Sequence, residues 1–193
     1  MKLYISNMCQ AGFIHKNTAS CPYQHPFMFC CFLENDFVRF VEEFENIDFT
    51  KYKKLYYNSS KIYHHKDVYS WDGLNRLLNI RTENTPVIEF ENGIQLSYPH
   101  VEYNVFDEKY KIRLERFTKI PNKNIHFIFR VKNFMNKDLV DRFYKNNRYN
   151  KIILFDENVS FKDDYIENET TKILVTYSEH HKLINELKKK NII

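Results

Sequence analysis

Short apolar runs alternate with amphipathic segments over most of the chain. Apolar runs typical of buried strands lie at residues 3–6, 124–130, 151–155 and 172–176. Segments with the apolar period of a helix lie at residues 105–119 and 137–146, and Ser178 is placed to cap a final helix. Strands that alternate with helices pair in parallel and carry helices on both faces. The pattern therefore predicts an α/β fold with a single open, three-layer, mostly parallel sheet.

One region departs from this alternation and predicts an inserted hairpin. Residues 86–90 and 94–98 are strand-like, and the turn signal Asn92-Gly93 lies between them. Further upstream, one helical face is predicted by four apolar residues: Phe37, Phe40, Val41 and Phe44. The chain has 193 residues with only 3 Gly and 5 Pro, so long linkers are not expected. We therefore predict one domain over residues 1–193.

Composition and charge narrow the classes of function. The net charge is only +4, and the two signs are interleaved rather than gathered on one segment, which argues against nucleic-acid binding. No run approaches 18 apolar residues and no signal-peptide pattern opens the chain, so we expect no membrane span and a reduced, cytoplasmic protein. The four cysteines include no Cys-x-x-Cys pair, so no metal site is predicted. No other cofactor is predicted either.

Cys9 occupies the most informative position in the sequence. It follows the first predicted strand and precedes a segment, from Gln10 to Lys16, that can start a helix. Free N–H groups and the dipole at a helix N-terminus favour the thiolate, which is the nucleophilic form of cysteine. The alternative is a buried structural cysteine, which is the commoner role of an unpaired thiol.

Other candidate residues lie near the predicted carboxyl ends of strands, as Cys9 does. His100 and Arg130 each lie at the end of a predicted strand, where open α/β sheets bind their ligands. His100 is the candidate base for Cys9, or a surface histidine packed on tyrosine. A guanidinium leaving an apolar strand needs an acceptor, so Arg130 meets either an internal carboxylate or a ligand. Asn7 is placed to donate to an oxyanion or to close an Asx-turn.

Two further arginines share one face of the predicted helix at 105–119. Arg113 and Arg116 are three residues apart, so they can hold an anionic group together. The alternative is that they form ion pairs with Glu108 or Glu115 on the same helix.

At these residues the chain resembles a family of uncharacterised bacterial proteins found among exopolysaccharide and capsule genes. More distantly, it resembles a family labelled as papain-like cysteine peptidases. The resemblance extends over about residues 3–133. It is carried by Ile5-Ser6-Asn7-x-Cys9-x-x-Gly12-Phe13-Ile14, by Pro22-Tyr23-x-x-Pro26-Phe27, by Pro86-Val87, by His100, and by Glu108-Lys109-Tyr110 with Arg113 and Arg116. The resemblance implies a place in the assembly of cell-surface polysaccharide.

These observations lead to one main hypothesis and two alternatives. The main hypothesis is a cytoplasmic, thiol-dependent enzyme of exopolysaccharide or capsule biosynthesis that transfers or hydrolyses an acyl or glycan-related group. Its substrate would be a sugar-containing or acyl small molecule, and the sequence does not predict an oligomeric state. Its predicted catalytic residues are Cys9, His100 and Asn7, and its predicted substrate-binding residues are Arg113, Arg116 and Arg130. The alternatives are a non-catalytic module that binds a glycan or nucleotide-sugar, and a papain-like peptidase.

Overall fold

The computed structural model describes residues 2–8, 10–17, 25–28, 30–32, 34–55, 86–98, 103–176 and 180–193. Within them the strands are β1 (Leu3–Ser6), β2 (Cys31–Phe32), β3 (Tyr52–Leu55), β4 (Val87–Phe90), β5 (Gln95–Ser97), β6 (Ile125–Val131), β7 (Asn150–Asp156) and β8 (Thr171–Thr176). The α-helices are α1 (Gln10–Asn17), α2 (Glu34–Glu43), α3 (Phe106–Phe117), α4 (Lys137–Lys145) and α5 (His180–Lys189).

Four strands form a parallel sheet in the order β1-β6-β7-β8. Ile128 lies opposite Ile152 in the register of β6 and β7, and Ile153 lies opposite Ile173 in that of β7 and β8. Residues 127–129 of β6 and 152–155 of β7 are apolar without interruption because side chains on both faces of these strands are buried. The prediction that these four segments pair in one mostly parallel sheet is confirmed.

The remaining strands form a second sheet, which is antiparallel and has the order β2-β5-β4-β3. Its centre is the predicted hairpin of β4 and β5. Gly93 has a φ of +78° and donates its N–H to the carbonyl of Phe90 at 2.8 Å, which closes the turn. The strands are thus divided between two sheets, so the prediction of a single sheet is wrong. The predicted hairpin pairs with β2 and β3 in this second sheet.

The two faces of the parallel sheet belong to different apolar clusters. In β6, Phe127 and Phe129 lie in the larger cluster and Ile128 lies in the smaller one, because successive side chains of a strand point to opposite faces. Helices α1 and α5 supply side chains to the smaller cluster, and α2, α3 and α4 supply side chains to the larger one. The architecture is therefore mixed α/β, with a parallel four-stranded sheet and helices that contribute to both apolar clusters.

Helix α2 connects the two sheets through aromatic packing. The ring of Phe40 lies 4.8 Å from that of Phe32 in the antiparallel sheet and 6.3 Å from that of Phe127 in the parallel sheet. It also lies 6.4 Å from the ring of Phe90. The four residues predicted to share the apolar face of this helix are all buried. Both sheets consequently share one core, while the prediction of one domain over residues 1–193 stays a prediction.

Candidate functional site

The connection between β1 and α1 has the secondary structure that the sequence predicts. The strand ends at Ser6 and the helix begins at Gln10. Cys9 and His100 both lie outside the described residues. Their pairing, and the cleft that they were predicted to share with an arginine, therefore stay predictions.

Asn7 is buried at the carboxyl end of β1, and its side chain contacts the backbone of β6. Its Oδ1 accepts a hydrogen bond from the N–H of Arg130 at 2.9 Å, and its Nδ2 donates to the carbonyl of the same residue at 3.1 Å. The amide therefore continues the pairing of β1 and β6 beyond the last residue of the strand. One N–H of Nδ2 remains for other contacts, so the predicted role as an oxyanion donor stays a prediction.

The side chain of Arg130 takes part in a charged group at the ends of β6 and β7. Its Nε donates to Oδ1 of Asp156 at 2.9 Å, and Nζ of Lys132 lies 3.4 Å from Oδ2 of the same carboxylate. Arg130 and Lys132 are 6% and 8% exposed, so both cations are largely withdrawn from water. Of the two acceptors predicted for Arg130, the structure provides the internal carboxylate. We call Arg130, Lys132 and Asp156 the carboxyl-edge cluster.

Burial controls the electrostatics of this cluster. The pKa of the Lys132 ammonium is lowered, first by desolvation and then by the positive charge of Arg130, while Asp156 opposes the shift. Buried charges are tolerated when they are paired. Because one carboxylate contacts two cations here, a bound anion would be stabilised by the same groups.

The carboxyl-edge cluster lies on the same face of the parallel sheet as the smaller apolar cluster. Arg130 and Ile128 are two residues apart in β6, so they share a face, as do Asp156 and Leu154 in β7. Ile128 and Leu154 both belong to the smaller apolar cluster with Ile14 of α1. The charged groups thus lie at the carboxyl end of this face, which is where parallel α/β sheets bind ligands.

Arg113 and Arg116 lie on α3, in surroundings different from those of Arg130. Arg113 is half-buried and Arg116 is exposed. The pKa of Arg113 is lowered, mainly by burial and also by the charge of Arg116, while nearby Tyr98 opposes the shift. The described contacts of Arg113 and Arg130 have no residue in common. The two arginines of α3 are close enough to affect each other electrostatically, and their predicted role in holding an anionic group stays a prediction. No contact given for the described residues joins them to the carboxyl-edge cluster.

Two buried histidines that the sequence analysis did not select lie beside the edge strand β1. Nε2 of His15 lies 3.2 Å from the N of Tyr4 and 3.3 Å from its O, so the imidazole covers this part of the strand edge. The ring of His25 contacts that of His15 edge to face, with centroids 4.9 Å apart. Burial lowers the pKa of both rings, which keeps them neutral at pH 7. The only sequence signal for His25 is its place beside the apolar run that begins at Phe27.

Comparisons of the chain with models of protein families, with curated proteins and with solved structures give no match. Among the helices of the described residues, none is long and apolar enough to cross a membrane. The same residues contain no group of three or more His, Cys, Asp or Glu side chains arranged to hold a metal ion.

Proposed function

We propose that the protein binds an anionic, sugar-containing or acyl small molecule at the carboxyl edge of its parallel sheet and acts on it through the thiol of Cys9. The observation that carries the proposal is the buried carboxyl-edge cluster, which the side chain of Asn7 links to the β1–α1 connection. Cys9 follows Asn7 by two residues and immediately precedes α1. Cationic groups and a helix N-terminus both favour a thiolate and an anionic ligand.

The chemistry is transfer or hydrolysis of an acyl or glycan-related group. In the acyl case, the thiolate sulfur bonds to the carbonyl carbon, the bond to the leaving oxygen breaks, and the leaving group takes up a proton. Water or an acceptor hydroxyl then attacks the thioester, loses its proton and restores the thiol. His100 is proposed as the base, and Arg130 and Lys132 as the groups that hold the anionic part of the ligand.

The setting that we propose is the cytoplasmic biosynthesis of exopolysaccharide or capsule, which rests on the resemblance described for the sequence. We also propose the finer, three-layer arrangement of the fold. It is supported by the apolar clusters on opposite faces of the parallel sheet, to which different helices contribute.

A non-catalytic module that binds a glycan or nucleotide-sugar is the second candidate. It is favoured by the contacts of Asn7, since the amide proposed as an oxyanion donor already bonds to the backbone of β6 through both its oxygen and its nitrogen. In this case the carboxyl-edge cluster would bind the ligand and Cys9 would take no covalent part. A papain-like peptidase is third, because no described contact identifies a residue that orients the histidine.

An acyl-transfer probe distinguishes these candidates. The whole protein is treated with p-nitrophenyl acetate and digested, and the acetylated cysteine is identified by mass spectrometry. We expect Cys9 to be acetylated first, ahead of Cys21 and of Cys30 and Cys31, the last two of which are buried. The same order is expected with iodoacetamide. If Cys9 is among the slowest of the four cysteines to react, the thiol-dependent function is wrong.

Ligand binding tests the cationic part of the proposal. UDP-glucose serves as an anionic nucleotide-sugar probe, and its affinity is measured by titration calorimetry for wild type, Arg130→Met and Arg148→Met. We expect Arg130→Met to weaken binding about tenfold or more, because charge-assisted hydrogen bonds are lost. The exposed Arg148 provides a control with the same change of charge. Equal affinities in the two variants would contradict a role for the carboxyl-edge cluster.

A further inference from the structure

Strand β8 is the outer strand at one side of the parallel sheet, which has the order β1-β6-β7-β8. An outer strand presents backbone N–H and C=O groups that can pair with a strand of another chain. Residues 171–176 are rich in β-branched side chains, include one charged residue and lack proline. Such segments associate readily through their backbones, so an open edge at β8 would favour pairing with another chain.

Two residues of β8 direct their backbone polar groups away from β7. The carbonyl of Thr170 accepts from the N–H of Lys151 in β7 at 2.7 Å, so the groups of Thr171 and Ile173 point the other way. At Thr171 both groups bond to Asn168. The N–H donates to Oδ1 at 2.9 Å, and the carbonyl accepts from the backbone N–H of Asn168 at 3.0 Å. Asn168 therefore occupies the place of a residue in a neighbouring strand.

At Ile173 the two outward backbone groups contact an ion pair. The N–H donates to Oε1 of Glu167 at 3.2 Å, and the carbonyl accepts from Nζ of Lys190 at 3.0 Å. The same Oε1 and Nζ are 2.7 Å apart, so one ion pair joins the two contacts. The pKa of the Glu167 carboxyl is lowered, first by the hydrogen bond from Lys190, which agrees with this arrangement. The pair presents an acceptor and a donor side by side, as a neighbouring strand does.

Other contacts hold this ion pair in position. The residue before Glu167 is anchored to α4, because the hydroxyl of Tyr144 donates to the carbonyl of Ile166 at 3.1 Å. On the other side, Lys190 directly follows α5, and Asn191 has the left-handed φ of +53° that is typical of helix C-termini. Each charged side chain therefore extends from a backbone position that is already fixed, so less conformational entropy is lost when the pair forms.

We propose that Glu167, Asn168 and Lys190 close the outer edge of β8 against pairing with a strand of a second copy of the chain. Without this cover, the β8 strands of two copies would pair edge to edge around a twofold axis, which is the commonest symmetry of homo-oligomers. Val175, which is 43% exposed, lies next along this edge and would add apolar contact between the two strands. This association does not depend on Cys9 or on the carboxyl-edge cluster.

The test compares the molar mass of the whole protein by sedimentation equilibrium over about a hundredfold range of concentration. Glu167→Ala/Lys190→Ala removes the ion pair at the edge of β8. Glu186→Ala/Lys189→Ala is the matched control, because it removes an exposed pair of the same residue types from α5. We expect the first variant to approach about twice the mass of wild type at high concentration and the control to match wild type. Equal masses for the two double variants would overturn the proposal.

Hydrogen exchange shows where the association takes place. Exposed ion pairs contribute little to stability, so both double variants should unfold close to the temperature of wild type. In Glu167→Ala/Lys190→Ala, we expect the amides of Ile173 and Val175 to exchange about tenfold more slowly at high than at low protein concentration. The amides of the hairpin of β4 and β5 should keep their rates. Association without added protection in β8 would overturn the proposal.

A conservative variant separates hydrogen bonding from charge. Glu167→Gln removes the charge but keeps a side-chain oxygen that can accept from the N–H of Ile173. We expect Glu167→Gln to associate less than Glu167→Ala at the same concentration, because part of the edge stays covered. Equal association of these two variants would show that charge, and not the cover of the backbone, keeps the copies apart, and would overturn the proposal.

Discussion

The two sheets of this protein differ in how they are covered. In β7 of the parallel sheet, residues 151–155 are all buried, whereas in β3 of the antiparallel sheet none of the four residues is fully buried. Strands β6 and β7 bury side chains on both of their faces, so burial of apolar surface is the main contribution of these strands to the free energy of folding. The antiparallel sheet depends more on a well-formed turn and on pairs of side chains across strands. The same substitution should therefore have different effects in the two sheets.

Truncation of a core ring should show the largest difference. Phe127 in β6 is fully buried, and its ring lies 5.2 Å from that of Phe44 and 5.1 Å from that of Tyr149. We expect Phe127→Ala to lower the free energy of unfolding by about 4 kcal/mol, because it removes apolar contacts and leaves a cavity. Leu55→Ala in β3 should cost about 1 kcal/mol. Denaturant titration of both variants measures the difference, and equal losses would contradict the contrast between the sheets.

The carboxyl-edge cluster is the polar exception within the buried sheet. Asp156→Asn leaves Arg130 and Lys132 without the carboxylate that both contact. We expect a loss of about 2 kcal/mol, which is less than for a fully buried pair because the Asp156 side chain is 20% exposed. The exposed Asp163→Asn is the matched control and should change stability by less than about 0.5 kcal/mol. Equal effects would show that Asp156 does not stabilise the two buried cations.

The contrast between the sheets also explains which elements the sequence predicts. The four parallel strands and helices α3, α4 and α5 can be predicted from their apolar patterns. The buried apolar residues that form each pattern are also the residues that stabilise the element. Strand β3 was missed, since Lys53 and Lys54 interrupt its alternation and it forms through pairing with β4.

The candidate site was less accessible to sequence reasoning than the fold. Arg130 was selected because a cation at the end of an apolar strand needs an acceptor, and the contact with Asp156 supplies one. The positions of His15 and His25 beside β1 depend on contacts between different segments of the chain, and no local spacing in the sequence predicts them. A buried polar atom without a partner can be recognised only when the surroundings of that atom are known.

The turn between β4 and β5 allows a test of backbone conformation in which the substitution does not change buried contacts. Gly93 has a φ of +78°, and a Cβ added there would meet nothing within 4 Å. Gly93→Ala should cost about 1 kcal/mol through backbone strain alone. Gly93→Asn should cost less, because asparagine adopts this conformation more readily than alanine. Thermal unfolding of the two variants measures this order, and a more stable alanine variant would contradict it.

The smallest expected effect concerns the response of the parallel sheet to acid. His126 in β6 is half-buried, and its ring lies 5.4 Å from that of Tyr4. Burial and the charge of Lys2 lower the pKa of His126 to about 4. Between about pH 6.5 and pH 4, the unfolded chain therefore binds a proton at this residue that the folded chain does not bind. The stability contributed by the neutral ring is present above this window and is lost as the pH falls through it.

His126→Asn removes this proton and keeps a polar side chain. From pH 7 to pH 4, the variant should lose less stability than wild type, by under about 1 kcal/mol, because solvent screens a half-buried group. Denaturant titrations at pH 7, 5.5 and 4 measure how the free energy of unfolding depends on pH in wild type and in the variant. His15 and His25 remain in the variant and have lowered pKa values, so part of the acid sensitivity should persist.

Hydrogen exchange at pH 4.5 shows which strands are affected by acid first. We expect the backbone amides of β1 and β6 to lose protection before those of the hairpin of β4 and β5. Earlier loss in the hairpin would show that acid acts first on the antiparallel sheet.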